Sequence, residues 1–239
     1  MEIQTQLSKL RLHGMHQCWQ ALMETRQHLE LSLPEGLEIL LQSEEEERNN
    51  CRFQRLQKSA RFRYQASIEE LNMDSARGMD KQLITTLATG DYIRKGESVL
   101  VTGATGCGKS FLVSALGNRA CAQGLKVAYF NIRKLLMKTK MCHADGTIIK
   151  FMDKISKTDL LILDDFGLTN LEQQHRLDLL ELIEDRHGKK ETIISSQLPV
   201  TNWYEVIGEE TIADAILDRL IHTSYRVELK GESMRRKNL

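Results

Sequence analysis

The chain carries no excess charge of either sign: among its 239 residues, 33 lysines and arginines balance 33 aspartates and glutamates. Attraction to a polyanion must therefore come from local basic patches and not from a global field. The five cysteines, Cys18, Cys51, Cys107, Cys121 and Cys142, are odd in number and show no C-x-x-C spacing. That excludes a disulfide framework and a zinc ribbon, and it suits a reducing compartment. His13 lies near His16, and Cys142 adjoins His143, but no set of four metal ligands forms. No apolar run approaches the roughly 18 residues that a membrane span needs, and the opening MEIQTQLSKL lacks the apolar block of a signal peptide. The expectation is a soluble, cytoplasmic protein with no membrane partner. Internal repeats and low-complexity tracts are also missing, and the length fits one medium domain plus an appendage.

The apolar pattern that is present changes character part-way along. Leu7, Leu10 and Met15, then Trp19, Leu22 and Met23, then Leu37, Ile39, Leu40 and Leu41 recur at helical intervals, with Pro34 and Gly36 breaking the run. Turn formers cluster in NMDSARGMD, residues 72–80. This predicts a small all-helical domain over residues 1–75 and a second domain over 76–239. In the second, SVLVTG, KVAYFNI, DLLILDD, ETIISSQ and SYRVEL read as strands buried on both faces, with helices near 109–123, 144–156, 172–187 and 211–222 between them. Such alternation predicts an α/β fold with a central parallel sheet flanked by helices.

GATGCGKS, residues 103–110, follows the first of these strands and opens a helix. Gly103, Gly108, Lys109 and Ser110 satisfy G-x-x-x-x-G-K-[ST], a pattern that lets backbone N–H groups converge on phosphate without intervening Cβ atoms. The expected cradle comprises Gly103, Ala104, Thr105, Gly106, Cys107, Gly108, Lys109, Ser110 and Phe111. The helix start adds its positive end, Lys109 reaches the β- and γ-oxygens, and the Ser110 hydroxyl can hold Mg2+.

A carboxylate should face that loop to steady the metal. LLILDD supplies it: four apolar residues make a buried strand ending in Asp164 and Asp165 at the carboxyl edge of the sheet, where ligands of open α/β folds collect. Asp164 is assigned to magnesium and Asp165 to the attacking water; the alternative is that both merely cap the next helix. Gln197, at the end of ETIISSQ, could orient the water, with Ser196 a weaker substitute. Together these residues predict a nucleoside triphosphatase with in-line attack of water on the γ-phosphate. No N-K-x-D guanine reader occurs, so ATP is the expected nucleotide.

Basic residues gather in two places. ERNNCRFQRLQKSARFR sets Arg48, Arg52, Arg55, Lys58, Arg61 and Arg63 along an expected helix, several of them three or four apart. One face of it could track DNA phosphates. The acidic block Glu44 to Glu47 lies directly upstream, so intramolecular pairing or a solvated face stays open. Arg133, Lys134, Lys138 and Lys140, after the second strand, form the other candidate, for which an amphipathic helix surface is the alternative.

The phosphate loop, LLILDDFG, SSQLP and ILDRL occur in an order that resembles the AAA+ ATPases of the DnaC/IstB group. ILDRLIHTSYRVELKGESMRR and the upstream ARFRYQASIEELNM resemble the IstB-type helper ATPases of bacterial insertion sequences, across essentially the whole chain. The resemblance implies an ATP-dependent homo-oligomer that binds double-stranded DNA and prepares it for a partner transposase; a DnaC-like replicative helicase loader is the alternative. It also implies that Arg219, in D-R-L, acts as an arginine finger in the neighbouring subunit's site, where a salt bridge to Asp218 or Asp214 is the other reading. Asp165 departs from the glutamate common in AAA+ proteins, which implies slow turnover, and Gln197 stands where many relatives carry asparagine. Little chain follows SYRVEL for the usual helical lid, so a lid arginine is absent unless Arg235 serves from the tail.

Overall fold

Leu160, Leu161, Ile162 and Leu163 are wholly shielded from water, and the fold is built outward from them. In the computed structural model, which describes residues 3–233, this run is the heart of strand β3. Arg235 lies outside the described residues. Two units divide the chain, Met1–Arg55 and Leu56–Leu239. The segment 56–75, expected with the helical domain, thus groups with the second unit.

The second unit carries five parallel strands, β1 (Ser98–Gly103), β2 (Val127–Asn131), β3 (Leu160–Phe166), β4 (Glu191–Ser196) and β5 (Ser224–Leu229), in the order β2-β3-β4-β1-β5. The helices in chain order are α1 (Ile3–Lys9), α2 (His13–Glu24), α3 (Leu33–Ala60), α4 (Lys81–Ala88), α5 (Asp91–Lys95), α6 (Lys109–Ala122), α7 (Ile132–Ala144), α8 (Ile148–Ser156), α9 (Gln173–Arg186), α10 (Trp203–Ile207) and α11 (Glu210–Ile221). Helix α6 packs against β1, β3 and β4, while α7, α8, α9 and α11 share one apolar cluster with Leu161, Leu163 and Ile194. Parallel strands need such crossovers, and the helices that make them cover both faces.

Three expectations change. Strands β2 and β5 lie at the sheet edges, so only the three inner strands are buried on both faces; in β5, Val227 and Leu229 face inward while Arg226 and Glu228 are exposed. Residues 132–144 form a full helix after β2, because Ile132, Leu135, Leu136, Thr139 and Cys142 bury one stripe at helical spacing. The N-terminal helical run is interrupted over residues 25–32, just ahead of Pro34 and Gly36, which themselves lie in the first turn of α3. Proline is tolerated in a first turn, where its missing N–H has no partner anyway. Ser32 closes that end of α3, its backbone N–H and hydroxyl both donating to the Glu35 carboxylate at 2.8 and 2.6 Å.

In the first unit, Glu44 joins α3 to the start of α2. Its carboxylate accepts the backbone N–H groups of Gly14 and Met15 at 2.9 and 3.2 Å, and Arg48 Nε at 2.8 Å. Burial works against the Glu44 charge, yet these donors hold its pKa below the usual carboxylate value. Arg48, one of the candidate DNA contacts, is thus engaged by the acidic block. The basic run also ends sooner than expected: α3 stops at Ala60, and Arg61 turns the chain with a left-handed backbone, φ 59°. Arg61 and Arg63 are therefore not on the helix that carries Arg48, Arg52, Arg55 and Lys58.

The edge of the sheet away from the strand ends that face the phosphate loop is fastened by Arg186, which is 1% exposed. Its guanidinium donates to the carbonyls of Ile155 and Thr158 at 3.0 and 2.9 Å and to that of Glu191, tying the end of α9 to α8 and β4. Burial pulls the Arg186 pKa down to about 10. Burial also pushes the Glu191 carboxyl up to about 8, with the charge of Glu97 adding to it and Thr192 N–H and Arg186 opposing. Between 4.5 and about 8 the folded chain therefore holds a proton that the unfolded chain has lost, and this group makes stability fall as pH rises through that window. Glu191→Gln removes the effect. Urea unfolding should show the variant gaining on the wild type from pH 5 to pH 8, with an advantage of roughly 1–3 kcal/mol at the upper end. Parallel pH profiles would refute this.

Candidate nucleotide site

The loop between β1 and α6 wraps the start of α6. Gly108 caps that helix with φ 106° and Gly106 turns at φ 83°, conformations in which a Cβ is strained, so the glycine spacing follows from the backbone path. Lys109 is 5% exposed. Its ammonium folds back onto the loop, donating to the carbonyls of Gly103 and Ala104 at 2.7 and 2.9 Å and lying 4.0 Å from Cys107 Sγ. These are neutral acceptors that an incoming phosphate can replace with a charged one. Ser110 and Phe111 complete the loop beside a cavity of about 310 Å3.

Asp165 lines that cavity from the sheet, with Asp164 buried next to it. Consecutive residues of a regular strand point to opposite faces, and only an irregularity can turn both acids to one place. Here the register of β3 against β4 slips between Leu163 and Phe166, and Asp165 adopts φ 60°. This is a bulge, with an extra residue in β3 and a left-handed backbone that Asp tolerates better than most side chains. Asp164 is fully buried and accepts hydrogen bonds from the Tyr129 and Ser195 hydroxyls. Asp165 accepts from Asn131 Nδ2 at 2.8 Å.

Arg63 supplies the charge opposite both acids. Its guanidinium lies 3.0 Å from Asp165 and 3.6 Å from Asp164. Burial works against its charge, but Tyr64, Asp165 and Asp164 together raise its pKa. A residue expected on a DNA-tracking helix face therefore stands in the nucleotide cavity, because the chain leaves α3 before it. Gln197 also lines the cavity, its Oε1 accepting from the Thr105 hydroxyl at 2.6 Å, so the loop tip is latched to the end of β4. Ser196 is fully buried and donates to the Phe166 carbonyl at 2.8 Å, which removes it as a substitute for Gln197.

Sequence reasoning missed Tyr129, Asn131, the hydrogen bond between Thr105 and Gln197, and the placement of Arg63. Asn131 pairs in register with Asp164 across β2 and β3. The rule that flagged Asp164, a polar residue at the carboxyl end of a strand, would have flagged Asn131 too.

Arg219 lies on α11, paired with Glu184 of α9 and donating to the Ala215 carbonyl at 2.7 Å. It has Glu184 as its acid, in place of Asp214 or Asp218. Arg133, Lys134, Lys138 and Lys140 are exposed on α7, and Lys140 lies 3.6 Å from Glu172.

The residues suit a triphosphate and its cation: an almost buried ammonium rests on weak acceptors, and two acids already attract a positive group. Ser110 and Asp164 would hold a magnesium ion, which would draw charge from the phosphate oxygens. Strand order, the loop after β1 and the acids ending β3 mark the chain as a P-loop ATPase of the AAA+ class. The solved structures of DnaI and of the DnaC helicase loader share the fold, with TM-scores of 0.60 and 0.56, covering 70% and 74% of this chain and 92% and 99% of theirs, at 20% and 19% identity.

The family follows from sequence. The profile of the IstB-like ATP binding proteins matches residues 5–239, and the chain belongs to that family. The insertion sequence ATP-binding protein y4pL of Sinorhizobium fredii is 40% identical over 230 residues, covering 96% of this chain and 94% of that one.

The bulge makes a direct prediction. Asp165→Asn keeps a side chain that tolerates the left-handed backbone and should unfold within about 1 kcal/mol of the wild type, whereas Asp165→Val should lose roughly 1–3 kcal/mol in urea titrations. Equal stabilities for the two variants would contradict the role given to the backbone.

Proposed function

We propose that this ATPase assembles on double-stranded DNA in the presence of ATP and Mg2+ and presents that DNA to the transposase of the same mobile element. The observation that carries the reading is the phosphate loop facing the paired acids of β3, in a chain 40% identical along nearly its whole length to an insertion sequence ATP-binding protein. Identity to the DnaC helicase loader is 19%, which favours this reading over helicase loading.

The chemistry is in-line attack of water on the γ-phosphate. Lys109 leaves the Gly103 and Ala104 carbonyls and binds phosphate oxygens. Asp165 and Gln197 flank the water, Gln197 being freed when Thr105 moves toward the nucleotide. Arg219 gives up Glu184 and reaches a neighbouring subunit's site, where its planar fork offsets charge on the transferring group. ATP occupancy and assembly are thereby coupled. Exposed basic residues on α3 (Arg52, Arg55, Lys58) and on α7 (Arg133, Lys134, Lys138) are the proposed phosphate contacts. The five free cysteines suit a cytoplasmic setting, and no helix among the described residues is long and apolar enough to cross a membrane.

Sedimentation should show oligomers on duplex DNA of a few tens of base pairs only with ATP and Mg2+, and a monomer under those conditions would overturn the reading. DNA binding should show little sequence preference and fall about 10³-fold between 50 and 200 mM salt if about six phosphates are neutralised. Preference for single-stranded DNA would point to helicase loading. Arg219→Ala should leave ATP binding by the isolated chain intact and slow hydrolysis by the assembled protein roughly a hundredfold or more.

A further inference from the structure

We infer that Arg63 reads the γ-phosphate and makes the site prefer a triphosphate to a diphosphate. The inference deepens the ATPase reading and rests on it.

The segment after α3 is pinned on both sides of Arg63. Phe62 lies edge-on to Tyr129, with centroids 6.2 Å apart, and its ring lies against Gly117 of α6, where an added Cβ would be 2.5 Å from it. Tyr64 faces Phe111, the residue after Ser110, at 6.1 Å, and its own ring lies 5.6 Å from the Arg63 guanidinium. Two aromatic anchors thus fix the backbone while the arginine side chain, 40% exposed, projects into the cavity that Lys109 and Ser110 share. A guanidinium held this way has lost much of its freedom before any ligand arrives, which favours binding.

Its charge has a specific purpose. Asp165 at the end of β3, which lines the cavity, would repel a phosphate that reaches past Lys109 and Ser110. With Arg63 between, the carboxylate that now accepts from the guanidinium and the incoming phosphate share one cation through its several N–H donors. A diphosphate ends short of this point and gains nothing from Arg63. An arginine three residues beyond α3 therefore distinguishes the loaded state from the spent one.

The test is calorimetric titration of the full chain with the β,γ-imido analogue of ATP and, separately, with ADP, both with Mg2+. Wild type should prefer the analogue. Arg63→Gln, close in shape but uncharged, and Arg63→Ala should weaken the analogue by about tenfold or more while ADP affinity stays within about twofold. Arg63→Lys should restore part of the preference, having the charge without the fork. Retained ADP binding reports an intact site in each variant. The proposal is overturned if both nucleotides weaken together, or if neither changes. Wild-type protein that binds neither nucleotide would instead sink the ATPase reading beneath it.

Discussion

Everything at the nucleotide site depends on bringing two neighbouring carboxylates to the same side of one strand. A regular β3 would send Asp164 and Asp165 to opposite faces, one of them into the apolar layer under α7 and α9. The bulge before Phe166 avoids this, and its consequences spread outward. Two adjacent acids in a partly dry corner require donors and an opposing charge. Tyr129 and Asn131 come from β2, Ser195 from β4 and Arg63 from the segment behind α3. Three separate parts of the chain are thus committed to one irregularity, and the phosphate loop sits opposite it.

The protein separates the two ends of its sheet by purpose. Where the strands begin, Arg186 donates to carbonyls at the end of α8 and the start of β4, and burial raises the pKa of Glu191 beside it. Where the strands finish, contacts are replaceable. Lys109 rests on carbonyls and Gln197 on a threonine. Buried, multiply bonded polar groups hold the fold, while exchangeable ones hold the residues that have to move.

Much of this was legible in the sequence for physical reasons. The spans SVLVTG and SYRVEL coincide with β1 and β5, because short β-branched runs bounded by turn formers admit few other readings. The loop residues 103–110 and the acids ending β3 were readable since their chemistry is local. What escaped was non-local or ambiguous. For α7 an amphipathic helix was only one of two readings of its basic residues, although its buried stripe has the helical period. The edge positions of β2 and β5 depend on strand order, which no single segment encodes. Arg63 meets an acid 102 residues away, and its neighbours in sequence are all consistent with a helix; only the left-handed turn at Arg61 redirects it.

The position of β5 bears on how the protein is made. It pairs with β1 on the side away from β4, yet it is the last strand of the sheet to be synthesised. While the chain grows, the backbone beneath the phosphate loop has an open flank, a row of unpaired amides and carbonyls beside Val99 and Val101. A product that stops before Ser224 would keep this sticky border beneath the phosphate loop. Premature termination should therefore yield aggregation-prone fragments.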